Sequence, residues 1–127
     1  MSVLVFDAGA LIAIERNDRA MWTRLRFAAE SGGTVVIPST VLAQVWRGGR
    51  AQVRLSRALT HCAIAPFDPV ARVVGELCGL AGTSDICDAH VALVAATSGD
   101  VLYTSDPDDL RPLLAACRRR SPSIVRC

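Results

Sequence analysis

Twelve of the 127 residues are acidic, and six of the twelve fall in three places where a fold can gather them. Asp7 ends the apolar run Val3-Leu4-Val5-Phe6. Asp85 and Asp88 stand at the head of an apolar stretch, and Asp106 follows Val101-Leu102-Tyr103 with Asp108 and Asp109 close behind. Asp85 and Asp88 have the i,i+3 spacing that shares one helix face. Carboxylates that converge repel one another unless a cation sits among them. Hard oxygen donors without clustered His or Cys select Mg²⁺ or Mn²⁺. An ion so held activates water for attack on a phosphodiester and steadies the attacking and leaving oxygens.

Whether these acids meet depends on the elements that carry them. A continuous apolar run such as Val3–Phe6 reads as a strand buried on both faces, as in a parallel sheet. Ala8-Gly9 then turns the chain into a helix to about Arg16. A second helix follows from Asp18 to Glu30, with Met21, Trp22, Leu25 and Ala28-Ala29 as its apolar stripe. Thr34–Ile37 is a β-branched strand closed by Pro38. Ser39 or Thr40 caps a helix through Trp46, ended by Gly48-Gly49, and Arg50–Leu59 reads as one further helix. Ala63–Pro66 is a weaker third strand, followed by a helix that opens at Pro69 and by another over Asp85–Thr97. Val101–Tyr103 is the fourth strand, a helix runs from Ser105-Asp106-Pro107 to about Arg118, and Ser123–Val125 is a short last strand. Strands alternating with helices predict one α/β domain over residues 1–127, with a parallel sheet and right-handed crossovers. Strand ends then lie on one rim, and Asp7 and Asp106 become neighbours if the first and fourth strands adjoin.

Each acid also fits a simpler role. Asp106-Pro107-Asp108-Asp109 is an ordinary helix start, with an Asp cap, Pro at the first helical position and acids favoured by the helix dipole. Asp85 and Asp7 likewise fit plain caps. Rival phosphate chemistries are easier to exclude. A haloacid-dehalogenase-like phosphatase needs a second Asp two residues after the first, where Gly9 stands. A response-regulator receiver needs a lysine, and all fourteen cationic residues are arginine. Neither a dinucleotide-binding Gly-x-Gly-x-x-Gly nor a P-loop is present.

Bulk composition narrows the setting. Half of the chain is hydrophobic and mean hydropathy is +0.34, yet no apolar run approaches the roughly 20 residues of a membrane span. Neither a membrane association nor a secretion signal is expected, and the excess apolarity points to partner surfaces. Five scattered cysteines without a Cys-x-x-Cys pair suit thiols in a reducing cytoplasm.

Four stretches together resemble PIN domains, and more narrowly the VapC toxins of toxin–antitoxin pairs. They are Val3 to Ile12, Ile37 to Gly49, Asp85 to Ala92 and Leu102 to Leu110, in the family's order over nearly the whole chain. The resemblance implies a five-stranded parallel sheet flanked by helices and a Mg²⁺- or Mn²⁺-dependent RNA endonuclease. It also implies a homodimer inhibited by a small cognate antitoxin. By position Asp7 matches the family's first acid, and Asp88, or Asp85 just ahead of it, matches the helix acid. Asp106 matches the acid after the fourth strand and Asp109 a second acidic position there. Gln44 stands where the family carries an acid; its amide oxygen can ligate a hard cation but brings no charge, which implies weaker metal binding. The alternative is a PIN-like module that binds RNA or protein with catalysis weakened by that change.

Arg47, Arg50, Arg54 and Arg57 recur at helix-compatible spacing and could hold RNA phosphates, or be a solvated helix face. Trp22 and Trp46 are placed on apolar helix faces, for core packing or for contact with a partner. His61 and His90 read as structural. Thr104 or Ser105 is a candidate to hold a water or phosphate near Asp106.

Overall fold

The computed structural model describes residues 2–127. Its centre is a five-stranded, all-parallel sheet in the order β3-β2-β1-β4-β5. The strands are β1 (Val3–Phe6), β2 (Thr34–Pro38), β3 (Cys62–Ala65), β4 (Val101–Thr104) and β5 (Ser123–Arg126). Successive strands step outward from β1 to β3, and the chain then crosses to the other side of β1 to lay down β4. The order therefore reverses between β1 and β4, where open α/β sheets form the crevice that takes a ligand. Leu4, Val5 and Phe6 pair with Val101, Leu102 and Tyr103, and beyond the strand the Asp7 N–H donates to the Tyr103 carbonyl at 3.2 Å.

Among the described residues seven α-helices flank the sheet: α1 (Ala8–Glu15), α2 (Arg19–Glu30), α3 (Ser39–Val45), α4 (Val53–Leu59), α5 (Ala71–Ala81), α6 (Ile86–Ser98) and α7 (Pro107–Ala116). Helix α6 carries the most buried side, with Ala89, Val91, Ala92 and Ala95 all at most 1 % exposed. Its small residues let it lie close against the sheet. Among the described residues no helix is long and apolar enough to cross a membrane. All five cysteines are free.

Three local expectations are corrected. Arg50–Leu59 is not one helix: a 3₁₀ turn over Arg50–Gln52 precedes α4. The buried Gln52 causes the break, since its Oε1 accepts from the Arg47 and Gly48 N–H groups (2.7 and 2.8 Å) and its Nε2 donates to the Val45 carbonyl and the Glu15 carboxylate. Neither Ser39 nor Thr40 caps α3; Pro38 holds the cap position, Ser39 Oγ accepts from the Phe67 N–H, and Thr40 Oγ1 pairs with His90 Nδ1 at 2.8 Å. Trp46 lies past the end of α3 and is exposed, so it is not a core residue, whereas Trp22 is half-buried with its Nε1 donating to the Ile14 carbonyl.

Candidate active site

Asp7 is the first residue beyond β1 and the N-cap of α1, its carboxylate accepting from the Ala10 N–H at 3.1 Å. Only 8 % of it is exposed. Burial pushes its pKa up; the Thr104 hydroxyl and the Ala10 and Gly9 N–H groups pull the other way, and the negative charge of Asp106 adds to the rise. Asp7 is thus both a cap and a nearly buried carboxylate whose charge is poorly compensated.

The acids at the head of α6 face the same rim. Asp85 is the cap, accepting from the Asp88 N–H at 2.9 Å. Asp88, in the first turn and half-buried, is pushed up to about 6, first by burial and then by the charges of Asp85, Asp109 and Asp7. Carboxylates from the β1 end, the α6 start and the α7 start are therefore within electrostatic reach of one another.

Asp106 separates the simple cap from the site residue. It holds the N-cap position of α7, yet its side chain makes no capping bond, while its N–H donates to Thr104 Oγ1 at 2.9 Å. Its carboxylate is left exposed at the end of β4, beside Asp7. The fully buried Thr104 hydroxyl links the two: it holds the Asp106 backbone and lies against the Asp7 carboxylate. Of the candidates Thr104 and Ser105, Thr104 is the one engaged with the acids. Asp108 turns away to an exposed pair with Arg111.

The remaining sequence candidates are scattered more widely. Gln44 is exposed in a cleft lined by Ala8, Ile12, Glu15 and Arg47, a lining that includes none of Asp7, Asp85, Asp88, Asp106 and Asp109. The arginine row does not form one face. Arg47 turns its guanidinium back onto the Ala43 and Trp46 carbonyls, and Arg50 sits in the 3₁₀ turn. Arg54 and Arg57 line a different pocket, with Arg19 and Arg26 of α2. His61 is exposed at a shallow cleft with Trp22 and Glu30. His90 is structural: it is fully buried and edge-on to Phe67, and burial lowers its pKa.

Sequence reasoning missed the contacts that hold the rim together. A Cβ on Gly9 would lie 2.3 Å from Ser105 Oγ and 3.0 Å from the Ser105 nitrogen, so the bare backbone of α1 is what lets the loop after β4 approach Asp7. The Arg126 guanidinium donates to the Ser105 carbonyl at 3.0 Å, and the Cys127 N–H donates to the Thr104 carbonyl at 2.9 Å, so the end of β5 braces that loop. Only the small residue directly after Asp7 and its neighbour signalled this; a loop-to-helix approach across the sheet leaves no periodic trace.

The donors fit a hard divalent cation. Among the described residues no three His, Cys, Asp or Glu side chains stand close enough to grip an ion by themselves. Mg²⁺ typically keeps several waters and takes one or two carboxylates with substrate phosphates completing the shell. A group of oxygen donors whose charged forms are disfavoured by burial and by one another matches that demand.

The raised pKa of Asp88 carries a stability consequence. Folded Asp88 holds its proton to about pH 6, whereas the ordinary value is 3.8. The folded state therefore binds more protons in that window, and metal-free protein loses stability as pH rises from about 4 to about 6. Because Asp88 is partly exposed, solvent screening reduces the effect to roughly 1 kcal/mol. In EDTA, Asp88→Asn is expected to melt higher than the parent at pH 7 and equally at pH 4, as thermal unfolding across that range will show.

Comparison with protein families and with curated proteins finds no match to this sequence. Solved structures do match. One is a chain from the crystal structure of VapBC2 from Rickettsia felis bound to a DNA fragment from their promoter. It is similar with a TM-score of 0.67 and 18 % sequence identity, over 98 % of this chain and 98 % of that one. At that identity the likeness is one of fold. It is the fold that the resemblance to PIN domains implies, a five-stranded parallel sheet flanked by helices.

Proposed function

We propose that the chain, over residues 1–127, is a Mg²⁺- or Mn²⁺-dependent endoribonuclease and the toxin of a VapBC-type toxin–antitoxin pair, acting in the cytoplasm. The observation that carries this reading is the gathering of carboxylates from three elements at the β1/β4 crevice, where Asp7 and Asp88 are both raised in pKa. A bound ion supplies a polarised water there. Asp7, Asp88 and Asp106 are the catalytic residues: Asp7 and Asp88 hold the ion, and Asp106, with its uncapped carboxylate, takes a proton or orients the water. Asp85 and Asp109 complete the negative field, and Gln44 at the cleft contributes a weak neutral ligand. Thr104 keeps the Asp7 carboxylate in place. Of the arginine row, Arg47 lies at the Gln44 cleft and Arg54 and Arg57 at the pocket beyond it along α1, and with Arg50 they hold RNA phosphates.

The exposed apolar side chains Phe27, Trp46, Val53, Val73, Leu80 and Ile86 support the partner surfaces expected for a small antitoxin and a second copy of the chain. Purified protein with Mn²⁺ is expected to cleave RNA and to stop on addition of EDTA. Expression is expected to arrest growth, relieved by a small gene product encoded beside it. Cleavage that survives EDTA overturns the metal mechanism.

The neutral Gln44 favours the second reading, a binding module with weakened catalysis. Gln44→Glu separates the two, because it restores the acid that the resemblance places at this position. The Mn²⁺ concentration for half-maximal cleavage is expected to fall by about three- to tenfold. An unchanged metal dependence removes Gln44 from the site.

A further inference from the structure

A second pocket lies at the far end of α1 from Asp7. Its walls are Asn17, Arg19, Trp22, Arg26, Arg54 and Arg57, with Thr23 completing them around a volume of 510 Å³. Arg19, Trp22 and Arg26 fall on one face of α2 at i, i+3 and i+7, and Arg54 and Arg57 are i, i+3 on α4. The convergence is thus fixed by two helices and not by a flexible loop. Among the described residues none of the four guanidinium groups is paired with a carboxylate; only Arg54 makes a hydrogen bond, to the Glu15 carbonyl at 3.5 Å. The nearby acids are engaged elsewhere, Glu15 by Gln52 and Asp18 by capping α2. Four planar cationic forks line one cavity with no carboxylate paired to them, and such forks suit the oxygens of a phosphate.

The pocket is also connected to the acidic rim. The cleft that holds Gln44 and Arg47 runs along α1 past Ala8, Ile12, Glu15 and Arg16, and the arginine pocket begins at Asn17. Helix α1 has eight residues, so the two sites are about 12 Å apart. A single strand laid along α1 therefore has a few nucleotides between the two sites.

We infer that the Arg19–Arg26–Arg54–Arg57 pocket binds a backbone phosphate of single-stranded RNA several nucleotides from the bond at the acidic rim, and so sets a minimum substrate length. This rests on the ribonuclease reading above. It extends the phosphate-holding role from Arg54 and Arg57 to Arg19 and Arg26, and fixes where on the strand they act.

The test is binding, in EDTA, of labelled oligouridylates of about four and about twelve nucleotides to the Asp7→Asn protein with and without Arg19→Gln/Arg26→Gln. The double change is expected to weaken the longer oligomer about tenfold at low salt and to lower the log–log salt slope by about 1.4, two contacts at roughly 0.7 each. The shorter oligomer also places a phosphate in the pocket, and its binding weakens as well. Arg19→Lys/Arg26→Lys restores the slope but only part of the affinity, because the point charge lacks the fork. Equal affinity and slope for the longer oligomer overturn the pocket, as does an equal loss from Arg72→Gln/Arg118→Gln outside it, which is a general field effect. An acidic peptide of the same charge that binds as tightly as the longer RNA overturns the phosphate assignment. Cleavage by the wild-type chain is scored separately. Cleavage with no effect of the arginine changes sinks the pocket alone, whereas arginine-dependent binding without cleavage sinks the nuclease alone.

Discussion

Asp7→Asn is expected to lower RNA cleavage by more than about 100-fold while leaving the fold intact. The asparagine keeps an oxygen where Asp7 accepts the Ala10 N–H, so the cap on α1 survives. What is lost is the negative charge, and that charge is held against burial and against Asp106. The same substitution is therefore expected to leave the melting temperature unchanged or to raise it by a few degrees in metal-free protein. A loss of activity together with a collapse of the fold would make Asp7 a structural cap only. Wild-type cleavage by the variant would assign the activity elsewhere. Circular dichroism and a cleavage assay on one preparation separate these outcomes.

Gly9→Ala is expected to be strongly damaging. Its Cβ would stand 2.6 Å from Ser105 Cβ and 3.0 Å from the Ser105 nitrogen, and the backbone cannot swing aside like the end of a flexible side chain. Overpacking of this kind costs about 1–3 kcal/mol. The loop that must move carries Asp106, so cleavage is expected to drop at least about tenfold even where the protein stays folded. Ser105→Gly removes the Oγ and Cβ but not the nitrogen, so the double variant is expected to recover part of the stability lost. Additive losses in that cycle would mean that the two residues do not press on each other.

Much of this was legible in the residues themselves. All five strands were, because apolar runs bounded by turn residues need no tertiary information, and the placing of Asp7, Asp88 and Asp106 at strand or helix ends followed from them. The adjacency of β1 and β4 was a condition in the sequence and is a fact in the sheet. The failures share one cause, side-chain polar contacts that follow no helical or strand period. Gln52 breaks the helix at Arg50 because it is called on by Arg47, Gly48 and Glu15 at once. Thr40 leaves its cap for His90, fifty residues away. The arginine row was read as one helix face, and the 3₁₀ turn parts it between two clefts. The cap readings divide in the same way: local spacing could not distinguish Asp106, which caps nothing, from Asp85, which does.

The central claim is that the carboxylate rim is a divalent-metal site, and the most direct measurement is calorimetric titration of Mn²⁺ into the purified chain and its Asp7→Asn and Asp88→Asn variants near pH 7.5. Binding to the wild type is expected to be saturable and to be weakened at least about tenfold by either substitution. Wild-type binding is expected to be weaker near pH 5.5, where Asp88 is protonated. Identical Mn²⁺ isotherms for the three proteins would contradict a metal site at the rim.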